Sequence, residues 1–299
     1  MLFILFLLLS LSLLLLVALL VLVERNILGL LQIRKGPNMV GIYGILQTVM
    51  DGIKLLLKQY ILKSTYGLFF FIFSPVLSLG LALLNWVVIP MPAVLVSNNY
   101  SVLFTLFISS VMVYTIVWAG WGSSSIYSLV GSIRAVAQMI SYEVVIGFFF
   151  LFFLMYFKSF NWEGFFIFNQ GSYNIFFFFL FFLWFIIMLA ELNRTPFDLV
   201  EGESELVGGF NVEYSGAGFT LLFLSEYVNI WFMCSITYVI FFGLGVSFFL
   251  IFFFIFILVL MVVFLRGTLP RYKFTDLIFL TWIILMPFVV FILMIGTGL

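Results

Sequence analysis

Carboxylate side chains are concentrated in one stretch of this otherwise apolar chain. The sequence contains 12 acidic residues, and six of them fall within 23 consecutive positions that contain a single base, Arg194. The six are Glu191, Asp198, Glu201, Glu203, Glu205 and Glu213. Carboxylates at alternate positions repel one another, so at least one in segment 201–205 should hold a proton more tightly than an isolated Glu does. The stretch predicts a site that binds and releases protons, the alternative being an ordinary solvated acidic loop.

Two further carboxylates, Glu143 and Glu226, lie inside long apolar segments. Glu143 follows Arg134 by nine residues, which is about 13 Å along a helix. That depth is near the middle of a bilayer, where a charged carboxylate costs about 2.5–3.5 kcal/mol. Such a group must be protonated, paired or in contact with water. The alternative is a protonated Glu in a structural hydrogen bond between helices. Together with Glu191, the two residues predict a proton path that leads from the acidic stretch into the membrane.

The composition limits the class of protein and the chemistry. The chain is 66% hydrophobic and 8% charged, whereas soluble domains carry about 25% charged residues, so a single polytopic membrane domain over 1–299 is expected. The net charge of zero argues against a nucleic-acid partner. There is no histidine and only one cysteine, Cys234, which excludes His-ligated haem, His-bound zinc and an iron–sulfur cluster held by this chain alone. No metal site or bound cofactor is expected.

The apolar runs predict an all-α fold with eight transmembrane helices, since about 20 apolar residues cross a bilayer. The predicted spans are 2–23, 68–89, 101–120, 135–157, 173–191, 218–240, 244–265 and 276–296. The first run is longer than the apolar core of a secretory signal and has no cleavage site, so it is interpreted as a span. No Arg-rich and Ser-rich presequence precedes it, which favours a chain made where it is used.

Basic residues predict the orientation of these helices. With eight spans, 11 of the 12 basic residues fall on one side of the membrane, and only Lys158 falls on the other. The basic side is called the inner side below, and both termini are predicted on the opposite side. Merging the sixth and seventh spans would give seven, and would place Arg266, Arg271 and Lys273 on the wrong side.

The first inner loop, 24–66, predicts a helix that lies in the membrane interface. Its polar residues Gln47, Asp51, Lys54 and Lys58 recur at helical spacing, and apolar residues cover the rest of the circumference. The helix either packs as an ordinary surface helix or forms the edge of a site for a ligand dissolved in the membrane. The basic turn 34–38 before it can anchor to lipid headgroups.

Ten segments of the chain carry a recognisable family pattern. They are Val23-Glu-Arg25, Gln32-Ile-Arg-Lys-Gly-Pro-Asn38, Gly41-Ile-Tyr-Gly-Ile-Leu-Gln47, Asp51-Gly-Ile-Lys54, Arg134-Ala-Val-Ala-Gln-Met-Ile-Ser-Tyr-Glu143, Ala190-Glu-Leu-Asn-Arg-Thr-Pro-Phe-Asp198, Glu201-Gly-Glu-Ser-Glu-Leu206, Gly209-Phe-Asn-Val-Glu-Tyr214, Glu226-Tyr227 and Leu269-Pro-Arg271. These segments resemble the family of quinone-site membrane subunits (chain 1) of respiratory complex I, the NADH:ubiquinone oxidoreductase. The resemblance covers essentially the whole chain.

The resemblance implies a quinone cavity on the inner side and a path of acidic residues that links it to proton translocation. The implied cavity residues are Arg25, Arg34, Asp51, Arg134, Arg194 and Arg271. The implied proton path consists of Glu143, Glu191, Asp198, Glu201, Glu203, Glu205, Glu213 and Glu226. No residue of this chain alone would be catalytic.

The resemblance also implies the partners. Ubiquinone would be the substrate, flavin and iron–sulfur clusters would be on partner subunits, and the chain would contact the lipid bilayer and other membrane and peripheral subunits of complex I. The high phenylalanine content, 43 of 299 residues, is typical of an organelle-encoded version, so the mitochondrial inner membrane is expected, with a bacterial plasma membrane as the alternative. The chain departs from the usual family pattern at Asn26, Thr48, Gln59 and Ile283, which bears on ion pairs near the interfacial helix and in the last span.

Two other classes of function compete with this interpretation. A proton-coupled secondary transporter would use Glu143 and Glu226, but the sequence shows no convincing internal repeat of the kind common in transporters. A purely structural membrane anchor would leave the cost of the buried carboxylates without an explanation.

Overall fold

The computed structural model describes residues 2–59, 67–90, 96, 98–168, 175–198, 209–243 and 248–297, and the regular structure in these residues is entirely helical. The main helices are α1 (Leu2–Leu31), α2 (Ile45–Leu57), α3 (Leu68–Asn85), α4 (Ser101–Gly122), α5 (Ile126–Phe157), α6 (Trp162–Phe168), α7 (Ile175–Glu191), α8 (Gly216–Phe241), α9 (Phe248–Thr268), α10 (Phe274–Phe279) and α11 (Met286–Thr297). A π-helical segment, Leu280–Leu285, joins α10 and α11 into one rod. It precedes Pro287, which has no backbone N–H to continue a regular ladder.

Helices occupy all eight predicted spans, which confirms an all-α polytopic membrane fold. Among the described residues, seven helices are long and apolar enough to cross a membrane, and α7 is a shorter apolar helix in the position of the fifth span. The predicted ends were wrong at two places. The first span continues to Leu31 rather than ending at 23, and the fourth begins at Ile126 rather than 135. Charged and small residues extend both helices beyond the apolar window, because helical hydrogen bonding does not require apolar side chains.

The end of α1 is set by backbone geometry rather than by its charged residues. Ile33 takes a left-handed conformation with φ 57°. The Arg34 N–H donates to the Gly29 carbonyl at 2.8 Å, and the Ile33 N–H donates to Leu30 at 3.1 Å. This pair of bonds is a Schellman motif, which closes the helix without a polar cap. Glu24 and Arg25 therefore lie on the helix and not in the loop where the sequence placed them.

The core forms around α8, which is the most buried of the long apolar helices, whereas α1 is the least buried. Aromatic side chains fill much of the interior, as shown by the stacked rings of Phe149 and Trp184, 5.3 Å apart. Such pairs add to the free energy gained by close packing.

The predicted amphipathic helix is present as α2, and two glycines fix its ends. Gly44, just before α2, has φ 79°, and a Cβ there would lie 2.1 Å from the Pro37 carbonyl oxygen. Gly216 at the start of α8 has φ 58°, and its Cβ would lie 3.0 Å from the Lys58 carbonyl oxygen. Only glycine fits these close left-handed approaches. The apolar side of α2 is left exposed, as a helix lying in a membrane interface requires.

Candidate functional site

The turn that follows α7 places the first charged groups of the site. Asn193 is left-handed with φ 49°, and the N–H groups of Asn193 and Arg194 donate to Ala190 and Leu189, each at 3.3 Å. This is a second Schellman motif, with the asparagine that such positions tolerate. The chain therefore reverses at the end of α7, and it directs the Arg194 side chain into the protein instead of into solvent.

Gln138 on α5 holds this turn from the opposite side. Its buried side-chain amide donates to the carbonyl oxygens of Ala190 at 3.0 Å and Phe197 at 2.9 Å. The first carbonyl is at the end of α7, where helical partners run out, and the second is in the turn. One side chain therefore ties α5 to both ends of the segment that carries Arg194.

Arg194 takes part in a buried ionic cluster that the sequence did not indicate. Glu24 on α1 forms ion pairs with Arg266 and, at 3.6 Å, with Arg194. The hydroxyl of Tyr227 donates to the other carboxylate oxygen at 2.5 Å. The Arg194 guanidinium also lies 4.6 Å from the centre of the Tyr227 ring, within the range of a cation–π contact. The cluster joins α1, α8, α9 and the turn after α7.

A polar cavity of about 70 Å³ lies beside this cluster. Glu191, Arg194 and Glu226 line it, together with Asn229 and Ser225. The space and its polar walls suit several water molecules. The cavity thus brings together Arg194 from the predicted quinone cavity and two carboxylates of the predicted proton path, Glu191 and Glu226.

Glu143 lies next to this cavity, on the groove between α4 and α5. It accepts a hydrogen bond from Ser109 at 3.1 Å, and Met139, one turn earlier on α5, lines the cavity. Its side chain is half-buried, and the neighbouring Phe107 and Ile140 are exposed. Within a membrane, a carboxylate that is partly exposed at the surface of the chain needs a polar partner.

The interfacial helix contributes a separate polar cluster. Arg25 pairs with Asp51 at 2.6 Å, and the Gln47 amide donates to the other Asp51 oxygen at 2.9 Å. The hydrogen bond from Arg25 contributes most to holding the pKa of Asp51 below its usual value, and Gln47 acts in the same direction. The pair connects the inner end of α1 to α2, next to the exposed apolar side of α2.

The remaining predicted residues lie in different surroundings. Arg271 pairs with buried Asp198 at 3.5 Å, which ties the segment after α9 to the turn after α7. Arg34 is exposed and donates to Gln32 at 2.8 Å. Arg134 on α5 and Glu213 before α8 are half-buried. Glu201, Glu203 and Glu205 lie outside the described residues. Within the described part of the chain, no group of three or more Cys, Asp or Glu side chains is placed to hold a metal ion.

The sequence missed three residues that hold the site together: Glu24, Gln138 and Tyr227. Each is buried, and each binds a partner that is distant along the chain. A usable signal existed only for Glu24, because a carboxylate at the end of a long apolar run needs a counter-charge. Neither the glutamine nor the tyrosine departs from what is ordinary in an apolar helix.

We expect Gln138→Leu to destabilise the turn after α7, because the Phe197 carbonyl oxygen loses its side-chain donor and the Ala190 carbonyl oxygen keeps only the Asn193 N–H. The expected loss is about 1–3 kcal/mol, the range for a buried polar group left unsatisfied. Thermal unfolding of the purified assembly would measure it, with Gln59→Leu as the control, since Gln59 is exposed. An unfolding midpoint equal to that of the parent would contradict the role of Gln138.

We expect the link between α1 and α2 to be lost in acid. The pKa of Asp51 is lowered in the folded chain, so its stabilising contribution is complete above the ordinary Asp pKa of about 3.9. It disappears as the pH falls through the lower folded value. Spin labels at the exposed positions Leu30 and Leu56 would report this as a distance distribution that is narrow at neutral pH and broadens below about pH 4. In Asp51→Asn, the distance distribution should be broad already at neutral pH. A distribution that stays narrow in acid in the parent chain would refute the link.

Comparison with known proteins places the chain in a family. The family model described as NADH dehydrogenase matches residues 4–297. The chain is 47% identical over 273 residues to "NADH-ubiquinone oxidoreductase chain 1" of Aedes aegypti, covering 90% of this chain and 87% of that protein. It is 44% identical over 300 residues to the protein of the same name from Papio hamadryas, covering 98% and 94%. The Branchiostoma lanceolatum protein of that name is 42% identical over 283 residues, covering 94% and 90%. With a match over nearly its whole length and relatives at this level of identity, the chain belongs to the NADH dehydrogenase family.

Proposed function

We propose that this chain forms part of the quinone-binding cavity of a proton-translocating NADH:ubiquinone oxidoreductase and links quinone reduction to proton movement. The observation that carries the proposal is the polar cavity in which Arg194 meets Glu191 and Glu226 beside Glu143. A cationic group next to carboxylates in a low-dielectric region can respond to a change of charge in a nearby ligand and transmit it.

Reduction of a quinone to a quinol consumes protons as well as electrons. The electrons come from iron–sulfur clusters on partner subunits, which receive them through a flavin. The arginines Arg25 and Arg194 stabilise negative charge that develops on the reduced quinone. Proton uptake at the inner side then changes the charge balance around Arg194 and the two cavity carboxylates.

From the cavity, the proton or the electrostatic change passes to Glu143. Glu143 lies one helical turn from Met139, which lines the cavity, and water in the cavity can bridge Glu191 and Glu226. The half-buried position of Glu143 on the α4–α5 surface makes this surface the contact with another membrane subunit, which continues the path. Asp198, Glu213 and the acidic segment 201–205 supply the inner end.

The route by which quinone arrives follows the interfacial helix. Met50, Ile53 and Leu57 lie on an exposed apolar surface of α2, next to Lys54 and Lys58. An apolar quinone tail can pack against Met50, Ile53 and Leu57, while the Lys54 and Lys58 side chains can reach the membrane surface. The Arg25–Asp51 pair lies where α1 meets this helix and holds the two elements together.

The chain acts within a larger assembly in the mitochondrial inner membrane, with a bacterial plasma membrane as the alternative. It contacts the bilayer, other membrane subunits and peripheral subunits that carry the redox cofactors, and it binds ubiquinone but no nucleic acid. The transporter alternative is not retained, because relatives that match across the chain are named as subunits of an oxidoreductase.

A photoreactive short-tail quinone analogue tests the location of the cavity. In the purified assembly, we expect labelling of this chain at the inner end of α1 and on α2, within segments 25–34 and 45–57, and at residues 194–198. Excess ubiquinone should suppress it. Labelling confined to the outer segment 98–100, or labelling that ubiquinone does not compete, would overturn the proposal. Purification of the chain without flavin or iron–sulfur partners would do the same.

A further inference from the structure

A second cavity, of about 680 Å³, opens on the opposite side of the turn after α7. It is called the α7–α9 groove here, and its walls are apolar side chains of α7 and α9, with Leu280 at one side and Arg271 and Tyr272 at its inner end. We propose that the α7–α9 groove binds an acyl chain of an anionic phospholipid from the inner leaflet, with the lipid phosphate beside Arg271 and Lys273.

Aromatic rings close the gap between these helices in the outer half of the membrane. The Phe242 ring fills the space between α7 and α9, because it lies 5.8 Å from Phe181 and 5.9 Å from Phe254. On the other side, Phe179 of α7 contacts Phe288 of α11 at 5.6 Å. The groove lies on the inner side of these contacts, where its lining continues to Leu189 on α7 and Leu269 after α9.

The length of the groove matches one leaflet of a bilayer. Along α9 and the segment after it, the lining runs from Leu258 to Leu269, which is roughly 16 Å at 1.5 Å per residue. The hydrocarbon core of a bilayer is about 30 Å thick, so one leaflet accounts for about 15 Å. A transmembrane helix of a partner would need a surface that continues through both leaflets, and the aromatic contacts interrupt this one. A lipid chain that enters from one side needs only the inner half.

The inner end of the groove has the charge that a phosphate requires. Arg271 is half-exposed although it pairs with Asp198, and Lys273 is exposed two residues further on. The Tyr272 ring stacks on Phe197 with centroids 5.6 Å apart. A phosphate at this position meets two cations at the inner membrane surface, where anionic lipids attract basic side chains. Charge complementarity therefore selects an anionic headgroup.

The lipid would also support the turn after α7 from behind. Pro196 and Phe197 line the groove, and the Tyr272 N–H donates to the Pro196 carbonyl at 3.0 Å. The opposite side of the same turn carries Arg194 into the polar cavity. An acyl chain in the groove therefore packs against the segment that positions a charged group of the quinone site.

The unmodified assembly provides the first test. We would reconstitute it in phosphatidylcholine vesicles that contain a small fraction of phosphatidylglycerol with a diazirine on one acyl chain, either near the ester or near the terminal methyl group. The ester-end probe should label 196–197 and 269–272, and the methyl-end probe should label 181–186 and 258–261. Labelling should exceed that of Phe253 and Phe264, which are as exposed as Met261 on the same helix but lie outside the groove, by tenfold or more.

Substitutions supply the second test. Met261→Trp should fill the groove and reduce labelling at 181–186 to the level of the exposed control positions, whereas Phe264→Trp should leave it unchanged. Lys273→Gln should reduce the preference for the phosphatidylglycerol probe over a phosphatidylcholine probe several-fold.

Three outcomes would overturn the proposal. Labelling of the groove that does not depend on probe depth, or that is no stronger than labelling at Phe253 and Phe264, would show only a lipid at the ordinary protein surface. Equal labelling by the phosphatidylcholine probe would show that the groove does not prefer an anionic headgroup. Cross-links from 258–269 to a peptide of a partner subunit, without lipid labelling, would assign the groove to that partner.

Discussion

Replacing Glu24 by Gln is expected to destabilise the chain by about 3–5 kcal/mol, the cost of removing one partner from a buried ion pair. Glu24 is 4% exposed, and its carboxylate faces Arg194, Arg266 and the Tyr227 hydroxyl. Without it, two guanidinium groups repel each other in a low-dielectric region. The amount of assembled complex on native gels and its thermal unfolding midpoint would both fall.

The controls for this prediction separate charge from shape. Glu24→Asp keeps the charge and should recover part of the stability, whereas Glu24→Gln keeps the shape and should not. Glu163→Gln removes a carboxylate from the outer helix α6, where Glu163 is half-exposed, and should change the midpoint little. If Glu24→Gln assembles and unfolds like the parent, the ionic cluster does not stabilise the fold.

Replacing Glu143 by Gln is expected to lower coupled quinone reduction by about 10²-fold, the lower end of the range for a positioned proton-transfer group, while assembly is largely retained. The Gln side chain preserves the size and can still accept the hydrogen bond from Ser109, but it cannot take up or release a proton. Rates of NADH-dependent quinone reduction and of proton pumping in vesicles would measure the effect.

A double substitution tests whether Glu143 and Glu191 act on one path. If they do, Glu143→Gln with Glu191→Gln should be no slower than the slower single variant, because effects within one unit are not additive. Asp276→Asn, an exposed carboxylate at the inner end of α10, is the control. Unchanged turnover and pumping in Glu143→Gln would show that this residue is not on the path. If the losses of the two single variants multiply in the double variant, Glu143 and Glu191 act independently and not on one path.

The sequence predicted the helices well, because a bilayer requires long apolar runs. It did not predict the end of α1 or the start of α5. Apolar windows stop at the first charges, but α1 continues past Glu24 and Arg25 until the left-handed Ile33 closes it. Likewise α5 begins at Ile126, two turns before its first long apolar run. Backbone hydrogen bonding determines these ends, and hydropathy does not report it.

For the site, the sequence identified charged residues but not how they pair. It placed Arg194 in the quinone cavity and Glu191 and Glu226 in the proton path, and the three line one cavity. It could not anticipate that Tyr227 reaches Glu24 across 203 positions, or that Arg266 reaches it across 242. Gln138 was missed for the same reason, since its amide binds carbonyl oxygens more than 50 positions away. Pairings at such separations depend on helix packing and leave no local pattern.

The placement of Glu143 on the α4–α5 surface has a consequence for biogenesis. On a chain without a partner over this surface, the half-buried carboxylate is open to lipid, where a charged group costs about 2.5–3.5 kcal/mol. Unassembled chains would therefore hold Glu143 protonated or associate early with the covering subunit. A chain that does neither would leave a charged carboxylate exposed to lipid. This exposed charge would distinguish an unassembled subunit from one that has joined its complex.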